Sequence, residues 1–190
     1  MKLITNDTVI HNFADSLEKS HRAEDLPFWE ETYKKAFPDM VAMINHRKDG
    51  IHQRNGIDRS IILSNSKQLL IDEKVRGRNK KGKVYTDIAL EYWSDMDRKV
   101  KGWVCKALLA DYIAYAIAPL GICYLLPVIQ LQNAWREYGE AWIKKYPDIR
   151  AENTYWTTQC VGVPREILYP AIGKFFKITF KPFEITDERR

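Results

Sequence analysis

Apolar and polar residues change their spacing several times along this 190-residue chain, and each change marks an element. Ile10, Phe13, Ala14 and Leu17 recur at helical spacing and predict a helix over 7–21, with Asp7 as its cap. Pro27 opens a second helix, PFWEETYKKAF, whose apolar side is Phe28, Trp29, Tyr33 and Phe37; Pro38 stops it. Met40 to Ile44 is apolar, and 45–55 is polar enough to read as a loop. Residues 57–63 and 68–75 are rich in aliphatic and β-branched side chains and flank Ser64, Asn65 and Ser66, which predicts a hairpin. Tyr85 to Trp93 reads as a third strand.

From Gly102 onward, WVCKALLADYIAYAIA is apolar nearly all round and predicts a long buried helix. GICYLL, 121–126, reads as a short buried strand, so the chain should make a right-handed crossover to a parallel edge of the hairpin sheet. Pro127 opens a helix that runs to about Lys145 and ends at Tyr146-Pro147. Residues 153–163 look strand-like, and 164–168 form a short helix. The tail from Phe176 alternates as an edge strand does, with 184–190 expected to fray. The order predicts one α/β domain over 1–190, with a mixed central β-sheet flanked by helices.

Composition narrows the setting. The apolar stretch 107–126 is broken by Asp111 and Pro119, so no membrane span is expected. The first residues lack a signal-peptide core, being interrupted by Asn6, Asp7 and His11. Cys105, Cys123 and Cys160 are widely spaced, with no C-x-x-C pair, and read as free thiols of a reducing cytoplasm. The net charge of +5 permits a polyanionic partner without requiring one. No phosphate-binding glycine loop, G-x-S-x-G or H-E-x-x-H is present, which removes several enzyme classes.

The hairpin carries the chemistry. Asp58 opens its first strand, and Asp72, Glu73 and Lys74 close its second. Ionised groups on a half-buried ribbon are costly unless paired, and a metal ion is one such partner. Side chains alternate along a strand, so Asp72 and Lys74 share a face and Glu73 points the other way. An odd-numbered turn sets Asp58 opposite Asp72 with Lys74 diagonal. An even-numbered turn sets Asp58 opposite Glu73, and Lys74 leaves the cluster. The first register is favoured, because Glu73 follows Leu69 and Ile71 on the apolar face. Asp58 and Asp72 would supply hard oxygen ligands, which suit Mg²⁺ or Mn²⁺. Lys74 would orient or deprotonate a water, or stabilise charge building on phosphorus.

Around the hairpin lie groups suited to phosphate. Gln53 and Arg54 precede Asp58 by a few residues. After Val75 the run Arg76, Arg78, Lys80, Lys81 and Lys83 with two glycines makes either a phosphate-holding loop or a solvated turn. No histidine pair among 45–55 shows a convincing metal-ligand arrangement. Asp111 and Tyr115, four apart on the predicted helix, either point at the charged end of the sheet or share a structural hydrogen bond. Asp87 and Glu91 share a face that is expected to meet solvent. His21 is expected to cap a helix end.

An acid at a strand start, Ile57-Asp58, followed by Asp72-Glu73-Lys74 on the next strand, resembles the PD-(D/E)XK nuclease superfamily, with Ile-Asp in place of Pro-Asp. The chain looks like a small phage-encoded member. The resemblance implies a restriction-endonuclease-like fold and a Mg²⁺- or Mn²⁺-dependent deoxyribonuclease of a host-cell cytoplasm. Asp58, Asp72 and Lys74 would be catalytic. The metal would sit on Asp58, Asp72 and the backbone carbonyl of Glu73. Several relatives add a glutamate from an N-terminal helix, for which Glu18, Glu24, Glu30 and Glu31 all qualify. A homodimer is allowed. The alternatives are a catalytically inactive nuclease-fold module that holds nucleic acid or protein, and an interaction protein whose hairpin acids merely form ion pairs.

Overall fold

Six strands of one mixed sheet carry the candidate site, and their order follows from where the apolar residues fall. The computed structural model describes residues 9–10, 26–46, 48–79, 81–152 and 155–185. These form a mixed α/β protein in two compact units, each with its own sheet. Among the described residues no helix is long and apolar enough to cross a membrane.

The unit built from Ser20–Tyr85, Leu108–Gln130 and Gly173–Arg190 holds helix α1 (Phe28–Ala36), strand β2 (Met40–Asn45), the short helix α2 (Gly50–Arg54), β3 (Arg59–Leu63), β4 (Gln68–Arg76), β7 (Tyr112–Ile117), β8 (Ile122–Pro127) and β11 (Phe176–Thr179). The sheet order is β11-β8-β7-β4-β3-β2. β4 and β7 are parallel, with Asp72 beside Ile113 and Lys74 beside Tyr115; every other pair is antiparallel. Phe28, Trp29, Tyr33 and Ala36 are buried along one side of α1, at the spacing of a helix face. They pack with Ile61, Ile71, Ala114, Ala116, Cys123 and Leu125 of the sheet. That packing defines one face of the sheet as core. Asp72 and Lys74, of opposite parity to Ile71 on β4, belong to the other face.

The other unit includes β1 (Val9–Ile10), β5 (Asp87–Asp95), β6 (Val100–Lys101), most of α3 (Val128–Lys145), β9 (Asp148–Glu152), β10 (Thr157–Pro164) and α4 (Arg165–Ile172), with sheet order β1-β9-β10-β5-β6. Ile88, Leu90, Val161 and Val163 are its buried strand positions. Tyr92 stacks on Trp135 of α3, ring centroids 5.8 Å apart.

Three expectations are corrected. The predicted helix from Gly102 is instead an irregular segment followed by β7. A strand between two neighbours in a mixed sheet is buried on both faces, so its sequence is apolar all round, and periodicity cannot distinguish it from a buried helix. The parallel partner of the hairpin is therefore β7. β8, the predicted GICYLL strand, runs antiparallel to β7. The reversal between them turns on Gly121, at φ +60°, where a Cβ would lie 2.2 Å from the carbonyl oxygen of Phe180. Val9 and Ile10 pair with Ala151 and Glu152 of β9, so the start of the predicted 7–21 helix is strand; residues 11–21 lie outside the described residues. The α3 helix and the edge strand β11 fall where the sequence places them.

Candidate functional site

The β3–β4 turn decides which charges meet. Ser64, Asn65 and Ser66 form a three-residue connection, closed by the Leu63 N–H to Lys67 carbonyl bond of 2.9 Å, with Ser66 at φ +66°. The odd-numbered register follows. Arg59 pairs with Ile71, and the Asp58 N–H also donates to the Ile71 carbonyl at 2.9 Å. This draws Asp58 in at the mouth of the hairpin. Its Oδ2 accepts the Glu73 N–H at 2.7 Å and its Oδ1 accepts Gln53 Nε2 at 3.1 Å.

Asp72 is 3% exposed, and its Oδ1 accepts a hydrogen bond from Lys74 Nζ. Burial raises its pKa to about 7; the Lys74 ammonium opposes that rise, and the charge of Asp58 and a hydrogen bond to its carboxyl add to it. Asp58, Asp72 and Lys74 are thus one cluster. Lys74 remains one-third exposed, so the cluster opens to solvent on its side. Gly56 lies over it at φ +68°. A Cβ there would meet Leu108 Cδ2 at 2.8 Å, and the positive φ itself favours glycine; Asp72 Oδ2 would lie 3.8 Å away, at ordinary contact distance.

Glu73 faces the core side. Its carboxylate accepts Arg59 Nε at 2.6 Å, Arg59 Nη2 at 3.2 Å and the Tyr33 hydroxyl at 2.6 Å. Burial raises its pKa to about 7 against the pull of Arg59 and Tyr33. Its side chain is committed to this network and contributes nothing to the Asp58–Asp72 side.

The surrounding groups divide. Gln53 joins the cluster through Asp58, while Arg54 is exposed at the end of α2. Arg76 lies over the Tyr85 ring, 3.6 Å from its centroid. Arg78 pairs with Glu184 at 2.9 Å. Asn79 Oδ1 accepts the Lys81 and Lys83 N–H groups, each at 2.9 Å, so this turn is built locally and leaves the Lys81 and Lys83 side chains exposed. Lys80 lies outside the described residues.

Glu30 and Glu31 form surface pairs with Lys34 and Lys35, at 2.6 and 2.7 Å, on the exposed side of α1. Glu18, Glu24 and His21 lie outside the described residues. Asp111 is not on a helix. It precedes β7 and is exposed, and its Oδ2 accepts the Leu70 N–H at 2.7 Å, which pins the start of β4 to β7. Tyr115 is buried beside Lys74 in the β4–β7 register. Asp87 and Glu91 are half-buried on β5 of the other unit.

The fold also assembles a group that the sequence does not announce. Asp49 caps α2 through its Oδ1, which accepts the Ile51 and His52 N–H groups at 3.0 and 3.2 Å. Its Oδ2 lies 2.7 Å from His52 Nδ1. The cap brings His52 onto His46, whose ring stacks on it at 3.9 Å. The H-x-x-D-x-x-H spacing is the one signal of this group in the chain. It is hidden inside a stretch that reads as loop, because a five-residue helix is too short to show periodicity.

No protein-family model matches the chain, and neither a curated protein nor a solved structure matches it.

Proposed function

We propose that this chain is a metal-dependent nuclease that hydrolyses phosphodiester bonds, with DNA the favoured substrate. The observation that carries this reading is the buried Asp72 carboxyl, joined to Asp58 and to Lys74 at the mouth of the β3–β4 hairpin. Two neighbouring carboxyls repel when both are ionised, and the burial of Asp72 adds to the cost of its charge, which a bound cation would offset. The donors fit a hard divalent cation. They are oxygen only, and Asp58 is held in place by Gln53 and the Glu73 backbone.

Mg²⁺ or Mn²⁺ bound there would neutralise phosphate charge and acidify a water. The chain's own groups do the rest. Asp58 and Asp72 would hold that ion at the mouth of the hairpin. Lys74, held beside Asp72 and open to solvent on one side, offers its ammonium to charge developing on phosphorus. Lys81 and Lys83 present cations to the flanking backbone phosphates without reading bases. The resemblance to the PD-(D/E)XK superfamily agrees with these roles.

Incubating the chelator-stripped protein with plasmid, linear duplex, single-stranded DNA and RNA, each with Mg²⁺, with Mn²⁺ and with chelator, tests the reading. Metal-dependent cleavage of at least one DNA substrate is expected. Nucleic-acid binding without cleavage of any substrate would replace the enzyme by a nuclease-like binding module.

A further inference from the structure

A second donor set lies in the segment that carries the chain from β2 to β3. His46 follows β2, Asp49 caps α2, and His52 sits in the first turn of α2. One ligand atom from each lies within 4.8 Å of the other two. We propose that His46, Asp49 and His52 bind one divalent transition-metal ion of the Zn²⁺ class, and that this ion clamps α2 to the sheet.

The donor chemistry differs from that of the Asp58–Asp72 cluster. Two imidazoles and one carboxylate suit Zn²⁺, Co²⁺ or Ni²⁺ rather than Mg²⁺. Zinc bonds of about 2.0–2.2 Å place tetrahedral ligands roughly 3.4 Å apart, a distance that side-chain rotation can reach from the present spacing. One outer partner is already in place. His46 Nε2 lies 2.7 Å from the Oγ of buried Ser60, which also accepts Gln68 Nε2 at 2.7 Å. With Nε2 so engaged, Nδ1 is the nitrogen of His46 left for an ion. His52 Nδ1 lies 2.7 Å from Asp49 Oδ2, and the ion would take the place of this contact, with Asp49 and the turned His52 ring as ligands on either side of it.

The ring geometry adds a structural consequence. The two imidazoles lie parallel, with planes 5° apart and centroids 3.9 Å apart, so their lone pairs run side by side rather than converging. Taking up an ion must open this stack. His52 is the ring to turn, because its side chain is 34% exposed whereas His46 is held by Ser60.

The need for a clamp is visible in α2 itself. It has five residues and none is buried, so neither length nor packing holds it. Yet its Gln53 donates to Asp58 Oδ1 at 3.1 Å. An ion on His46, Asp49 and His52 would fix the helix that positions Gln53 on the acidic cluster.

The test uses the full chain stripped by chelator, titrated with Co²⁺ for its visible absorption and with Zn²⁺ by calorimetry. One equivalent is expected in the Asp58→Asn/Asp72→Asn variant, which lacks the acidic cluster, and the His11→Gln/His21→Gln variant should bind as much Co²⁺ as the wild type. Affinity should fall at least tenfold in His52→Gln and in Asp49→Asn; asparagine keeps the helix cap, so the second variant remains informative if the first folds poorly. No Co²⁺ bound by the wild type, unchanged affinity in both site variants, or loss of the equivalent with Asp58 and Asp72 would overturn the proposal. Because the Asp58–Asp72 variant retains this site, its result stands apart from the nuclease assay.

Discussion

Asp58 and Glu73 are joined through the backbone: the Glu73 N–H donates to Asp58 Oδ2 at 2.7 Å. The Glu73 side chain is meanwhile held from the other face of the sheet by Arg59 and Tyr33. One residue therefore ties the core side of β4 to the acidic side. The buried network anchors the strand position at which Asp72 and Lys74 are presented.

That network should be costly to break from one end. Above about pH 7, where Glu73 is ionised, Arg59→Ala leaves its buried carboxylate beside the Tyr33 hydroxyl without the guanidinium, and a loss of about 3–5 kcal/mol is expected. Tyr33→Phe removes one hydrogen bond to a charged group and should cost about 1.5–3 kcal/mol. Urea unfolding midpoints at a constant slope measure both. A loss for Arg59→Ala no larger than that for Tyr33→Phe would contradict the anchoring role.

Stability should fall as pH rises. Asp72 and Glu73 each have a folded pKa raised to about 7 from ordinary carboxylate values near 4. Between those values the folded state keeps protons that the unfolded chain has released, so its stabilisation is complete at low pH and is lost as pH climbs through about 7. Urea unfolding in chelator should show lower stability at about pH 8 than at about pH 5. The drop should be smaller in Asp72→Asn, which removes one of the two groups. Mn²⁺ should restore stability at the higher pH in the wild type and not in that variant. An equal drop in both proteins would show that Asp72 does not carry the dependence.

The exposed cations of the loop after β4 should act on nucleic acid through counterion release. Lys81→Ala with Lys83→Ala should weaken binding and lower the salt slope by up to about 0.9 for each phosphate that is no longer neutralised. Arg78→Ala breaks only a surface ion pair with Glu184, for which about 0–1 kcal/mol of stability is at stake. An unchanged slope in the lysine variant would reduce the loop to a solvated turn.

Legibility in the sequence divides along physical lines. The hairpin, its three-residue turn and the grouping of Asp58, Asp72 and Lys74 are legible, because strand alternation and turn chemistry are local. α1 and α3 are legible from their apolar stripes. β7 is not, since a strand buried on both faces carries no alternation. Neither is the commitment of Glu73 to Arg59 and Tyr33, which depends on α1 packing 40 residues away in sequence. The His46–Asp49–His52 group depends on Asp49 capping a helix of five residues, too short for its periodicity to show in the sequence.

The decisive measurement is metal-dependent DNA cleavage by Asp72→Asn, beside the wild type and Lys74→Ala. Asparagine is nearly isosteric but cannot supply the negative charge, and alanine at 74 removes the cation while leaving both acids. Mn²⁺-dependent cleavage is expected of the wild type, with losses of roughly 10²-fold or more in both variants and folding intact. A wild type that neither binds Mn²⁺ nor cuts DNA, or an Asp72→Asn protein that cuts as fast as the wild type, would contradict the nuclease assignment.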